Sequence, residues 1–163
     1  MLTLIGKISR WQFKNRKMRI EGVFLYYDKE NRNGRIYTKQ CAEDIVEQFK
    51  KMGDGTCLGE PMQNDLEIPQ IRLSQVSHRI NDVWIDEDTK TVKGSIEILD
   101  GTPRGVMLKE AINTCGIENF SVASRGTGTV NESGEVENYE LISFDIIPKE
   151  KSSTNGPIQI TDL

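Results

Sequence analysis

The sequence predicts an α+β protein, a mostly antiparallel curved sheet or small barrel flanked by two or more helices. Three observations carry this. Two stretches repeat apolar residues at helical spacing between recognisable caps. Five stretches are rich in β-branched and aromatic residues or alternate apolar with polar. Four of those five are joined in pairs by the turn sequences EDTK and NESG, so the order reads strand, helix, hairpin, helix, hairpin.

Each element has a local reason. Met18–Asp28, MRIEGVFLYYD, has strand composition and runs into KENRNGRIYT, where Asn and Gly mark a tight turn. Thr38 then caps a helix in which Cys41, Ile45, Phe49 and Met52 share one face, and Gly53 stops it. Residues 55–73 contain two prolines and a polar cluster and read as a loop or extended arm. LSQVSHRINDVWID places Val76, His78 and Ile80 on one face, and Val83 and Ile85 continue after a change of register. EDTK turns the chain into the returning strand TVKGSIEIL. Thr102 caps the second helix, Pro103 takes its first position and Gly116 ends it. TPRG therefore needs no bound phosphate to explain it. IENFSVASRGTGTV and EVENYELISFDIIP form the last hairpin around NESG. The polar stretch 149–163 is expected to be an extended or flexible C-terminal tail behind a single domain of residues 1–148.

Composition narrows the function. The 163 residues are 36% hydrophobic and 28% charged, as in an ordinary globular domain. A net charge of −4 argues against broad nucleic-acid binding. The short basic run Arg10–Arg19 reads as a solvated connection. Three widely spaced cysteines, Cys41, Cys57 and Cys115, and one histidine give neither a disulfide framework nor a zinc site. The thiols are expected to be reduced and partly buried, and neither metal nor other cofactor is expected. MLTLIGKISRW lacks the apolar core of a signal peptide, and no run has the length of a membrane span, so residence in a cytoplasm without membrane contact is expected.

The stretches NRNGRIYTKQ, LGE, VSHRINDVW, VKGSIEILDGTPRG, SVASRGTG and YELISFDII occur in that order. Together they resemble the prohead core protease family of T-even-like tailed phages, which shares its fold with herpesvirus assemblin. The resemblance spans roughly Gly22–Ile147. It implies a serine protease that works inside the immature capsid on scaffold and capsid protein and then on itself. Two family motifs carry that chemistry. In Gly-Glu-Leu-Asn/Asp-His-Pro the histidine is the general base. In Gly-Val-Ser-Ser-Arg-Gly the first serine is the nucleophile.

The sequence departs at both. Gly59 and Glu60 match the first motif, but the base position falls on Gln63, whose amide has no proton-accepting nitrogen. Ser124, Arg125 and Gly126 match the second, but the nucleophile position falls on Ala123. Two separate departures fit a naturally inactive member better than one replaced serine. The expected catalytic residues are therefore none, with Gly59, Glu60, Arg125 and Gly126 as the remnant of a cleft. Arg125 is read as a packing or surface ion-pair residue.

The alternative is an active maturation protease using Ser124 or Ser121 with His78. Strand alternation opposes it: Ser124 points away from the face of Ala123, and Ser121 shares that face about 7 Å along. His78 reads more simply as a partly buried strand residue. The resemblance implies capsid, portal or scaffold proteins as partners, a multimeric state in the particle, and residence in the host cytoplasm and then the virion head or portal vertex. Leu2, Leu4, Ile5 and Trp11 lie at one end and Ile158, Ile160 and Leu163 at the other, and at least one of these ends is expected to dock on another virion subunit, the alternating pair Ile158 and Ile160 suiting an added strand.

Overall fold

A computed structural model describes residues 17–53, 55–61, 70–154 and 156–162. Five strands form one sheet: β1 (Arg19–Tyr26), β2 (Leu58–Gly59), β3 (His78–Asp86), β4 (Thr91–Ile98) and β7 (Ile158–Asp162), in the order β2-β3-β4-β1-β7. Every pairing in it is antiparallel. A second, two-stranded antiparallel sheet consists of β5 (Phe120–Val130) and β6 (Val136–Pro148). Two helices accompany them, α1 (Lys39–Lys51) and α2 (Pro103–Cys115).

The helix ends follow from the cap residues. The Thr38 hydroxyl accepts the Cys41 backbone N–H at 3.1 Å, and that of Thr102 accepts the Gly105 N–H at 3.0 Å. Each satisfies a donor that the first helical turn leaves without a partner. Gly116, at φ 91°, ends α2 in a region that favours glycine. In β3 the register shifts between Ile80 and Asp82, the break that the apolar pattern showed, and Ile80 and Val83 are both buried.

The core lies between the sheets and under α1. Phe24 of β1 meets Phe144 of β6 with ring centroids 4.8 Å apart, an aromatic contact that joins the two sheets. Ile20, Ile80, Ile96, Ala42 and Ile45 are fully buried around it. The outer edge of β6 is covered. The Gln48 side chain of α1 donates to the Tyr139 carbonyl and accepts from the Leu141 N–H, at 2.8 and 2.9 Å. Further along, the Ile146 N–H donates to the Glu60 carbonyl. One edge of the small sheet is thereby closed to further pairing.

Two details differ from expectation. The stretch beyond Lys149 is not a loose tail, because its Ile158–Asp162 portion is β7 and pairs with β1 of the same chain. Ile158 and Ile160 thus add a strand to their own sheet rather than a neighbour's, while Leu163 and the segment Met1–Arg16 lie outside the described residues. Cys41 and Cys57 are buried and free, but Cys115, at the end of α2, is exposed. No helix among the described residues is long and apolar enough to cross a membrane.

Candidate active site

β5 presents different residues on its two faces. Ala123 is paired in register with Asp145 of β6, and Arg125 lies two residues along on the same face. Ser124 faces the other way. There it lies beside the phenols of Tyr37 and Tyr139, whose rings meet edge to face at 5.7 Å. Burial pushes both phenols up, so they stay protonated. Gly126 continues the Ser124 face, and a side chain there would collide with the Tyr139 ring.

The segment after β2 runs beside β6. Pro61 forms a parallel bridge with Ile146, and the Glu60 N–H donates to Asp145 Oδ1 at 3.1 Å. Four charges meet at this junction. Asp145 Oδ2 accepts from Arg125 Nε and pairs with its Nη2, each at 2.8 Å. Glu60 Oε1 accepts from Arg72 Nη2 at 2.7 Å, and Oε2 accepts the Arg72 backbone N–H at 2.9 Å. Arg125 Nη1 stands 3.5 Å from Glu60 Oε2 and donates to the Gln70 carbonyl at 3.1 Å. Both carboxylates are buried, at 1% and 0% exposure, so their charges persist only because the arginines and backbone donors answer them. Burial pushes the Glu60 carboxyl up, but the Arg72 hydrogen bonds and the Arg125 charge outweigh it and hold the group below its ordinary range.

His78 starts β3 beside Gly59, whose missing side chain makes room for the imidazole. The ring is fully buried. Its Nε2 lies 2.8 Å from the Phe144 carbonyl, an acceptor only, so Nε2 carries the proton and donates. The Nδ1 lone pair then faces the Ser77 hydroxyl at 2.7 Å. Burial pushes the imidazole down, against the Phe144 hydrogen bond and the Asp145 charge, which favour protonation. His78 is therefore a neutral, internally bonded histidine.

The sequence-predicted residues divide accordingly. Gly59, Glu60, Ala123 and Arg125 come together at one junction, whereas Gly126 belongs to the tyrosine face. Gln63 lies outside the described residues. Ser121 is buried, donates to the Gly156 carbonyl at 3.1 Å and accepts from the Ser152 hydroxyl, so it fastens the chain leading into β7. Among the described residues His78 has no hydrogen bond to Ser121 or Ser124. Arg125, read from the sequence as a packing or surface ion-pair residue, forms a buried ion pair. Asp145 and Arg72 were not anticipated. Asp145 carried a signal, being a lone carboxylate inside the apolar run ISFDII. Arg72 carried none. Among the described residues no group of three or more His, Cys, Asp or Glu side chains could hold a metal ion.

The fold is that of a capsid-assembly protease. It is similar to the solved structure of the bacteriophage T4 capsid assembly protease, gp21, with a TM-score of 0.66 and 27% identity over 79% of this chain and 80% of that one. The chain belongs to the family described as prohead core protein serine protease, whose profile matches residues 10–146. No curated protein sequence matches it.

Proposed function

We propose that this chain is a catalytically silent protein of phage head assembly, which keeps the prohead-protease frame and uses it to dock on capsid, scaffold or portal-vertex components, in multiple copies in the particle. The observation that supports this most directly is the face of β5 beside the ionic cluster. There Ala123 offers a methyl group, opposite Asp145. A methyl cannot attack a carbonyl, and the neighbouring Arg125 and Asp145 are engaged with each other. The other hydroxyls and the histidine give little support to the alternative of an active protease. Ser121 is spent on Gly156, Ser124 turns to the tyrosine face away from Ala123, and the His78 lone pair is spent on Ser77.

The test has two parts. Purified protein is incubated with a serine-directed fluorophosphonate and with phage scaffold and capsid proteins, and mature particles are assayed for the chain. The expected result is no labelling, no cleavage and persistence in the particle. Labelling that is lost in both Ser124→Ala and His78→Ala would establish the active-protease alternative instead.

A further inference from the structure

We infer that residues 10–16 of the chain itself fold back along the outward face of the five-stranded sheet and seat Trp11 on Trp84, whether or not residue 123 carries a nucleophile. Strand alternation defines that face. Ile20, Leu25, Val83 and Ile96 belong to the core, so Glu21, Tyr26, Trp84 and Ser95 point away from it. Tyr26 and Trp84 are both partly exposed, and neither packs against the core. Lys29 lies over the Tyr26 ring, 4.8 Å from its centroid. Trp84 makes no ring contact with a described residue, so its indole is apolar surface left to water. The same face carries an acidic row. Asp82, Ser95 and Glu21 stand side by side on β3, β4 and β1, which places the two carboxylates about 10 Å apart. Other charges of the face answer each other. Arg79 pairs with Glu97 and Lys93 with Asp86, and Arg19 stands in register with Asp162. Asp82 and Glu21 have no ion pair with a described residue.

Charge and length select the occupant. Residues 10–16, RWQFKNR, contain Arg10, Lys14 and Arg16 and no carboxylate, the sign that the acidic row calls for. They lie outside the described residues, but the family profile begins at residue 10 and so takes them into the matched domain. Trp11 and Phe13 alternate with polar residues, as in an extended stretch that lays one side on an apolar surface. The segment starts from a fixed point, because Lys17 is held by Asp100 at 2.9 Å. From Lys17 to Arg19 is two residues, and from the row of Arg19, at Glu97, to that of Trp84, at Lys93, is four more. Trp11 is also six residues from Lys17. Six extended residues span about 20 Å, so a chain folded back from Lys17 brings Trp11 level with Trp84. Phe13 then comes level with Ser95, where Lys14 is in reach of Asp82 and Glu21. A segment tethered at Lys17 has a high effective concentration at this face, an advantage that a separate partner lacks.

Trp11 and Trp84 are the two tryptophans of the chain, which makes the contact readable by fluorescence in the full-length protein. In Trp11→Phe, Trp84 is the sole indole and residue 11 still offers a ring. In the double variant Trp11→Ala, Phe13→Ala, Trp84 is again the sole indole and neither ring remains. Acrylamide should quench Trp84 weakly in the first and several times more strongly in the second, with circular dichroism showing both to be folded. Asp82→Asn removes a charge and keeps the oxygen that accepts the Val83 N–H. Added to Trp11→Phe it should raise the quenching, and so should salt, because exposed charges are screened. Equal quenching of Trp11→Phe and the double variant would overturn the inference. So would protection that fades on dilution, which would assign the segment to the sheet of a second copy. Protection that appears only in assembled particles would give the face to another head protein and overturn it as well. Quenching indifferent to both Asp82→Asn and salt would overturn the placement of Lys14 beside the acidic row.

Discussion

At its N-terminal end β5 is enclosed. Phe120, Ser121 and Val122 are buried, with the Ser121 hydroxyl tied to the segment that leads into β7. At its C-terminal end Thr127–Val130 are exposed, and Val130 shows 48% of its surface to solvent. Between them stand Ala123 and Arg125, the first beside a charge cluster and the second inside it. One strand therefore carries a packed anchor, an alanine beside a charge cluster, and an exposed end. Buried ionic clusters are poor devices for stability alone, since apolar replacements of the same volume often do as well. Retaining this one holds three segments in register: the Glu60 stretch, β6 and the middle of β5.

The comparison is broken most severely by Asp145→Ala. It leaves Arg125 beside the cluster without its closest carboxylate, in a position where the side chain is only 10% exposed. Removing one partner of a buried pair costs about 3–5 kcal/mol. Urea unfolding should show a loss of this size. A loss no larger than that of an exposed substitution would mean that the cluster does not hold the two sheets in register.

A smaller effect is expected from Gly59→Ala. The added methyl would run into His78 Nε2 and the Phe144 carbonyl, the two atoms that share a hydrogen bond. Overpacking of this kind costs about 1–3 kcal/mol. Loss of the His78–Phe144 bond should show as a changed imidazole signal in the NMR spectrum, while the signals of Thr127–Val130 stay in place. Shifts along that exposed end would show that the two ends of β5 are coupled.

Much of this architecture was legible from the chain. Helix ends were readable because Thr38, Thr102, Pro103 and Gly116 act locally, and hairpins because their turns do. The break in β3 showed in the apolar pattern. β7 was missed because five residues with polar neighbours carry too weak a pattern, and its order comes from Gly22 and Ser121, which are distant in sequence. The ionic cluster was missed for a related reason. Arg72, Arg125, Glu60 and Asp145 lie on separate elements, and only the fold makes them neighbours. The apolar run around Asp145 could have been taken as notice, since a carboxylate in such a run must find a partner.

The pH dependence should be weaker than either substitution, because single groups titrate. His78 is neutral in the fold with its pKa depressed, while in the unfolded chain it protonates near 6.5. The unfolded state thus takes up more protons just below that value. The contribution is fully present above 6.5 and is lost as the pH falls toward and through the depressed folded value. Glu60 adds a loss of the same sign below its ordinary 4.5. Asp145, Glu60 and Arg125 are the charged groups that act on His78. In His78→Gln the upper limb of the urea-midpoint profile should vanish and the lower one remain. An unchanged upper limb would place the acid sensitivity elsewhere.

The smallest expected effect is at the position where the family motif has its nucleophile. Ala123→Ser restores a hydroxyl where the family motif has its nucleophile, yet it should produce no fluorophosphonate labelling. A serine becomes nucleophilic when a base accepts its proton. The nearest carboxylate across the sheet, Asp145, already accepts from Arg125 and from the Glu60 N–H, so its lone pairs are engaged. His78 cannot substitute, because its basic nitrogen faces Ser77 in a fully buried pocket. The double variant Ala123→Ser, Gln63→His supplies both groups that the motif pattern requires. Labelling by the double variant but not by the single one is the expected outcome, and it would mean that two side chains separate this frame from an active one. Labelling by the single variant would show that a base stands within reach of residue 123 already, and the account of His78 and Asp145 given above would be wrong.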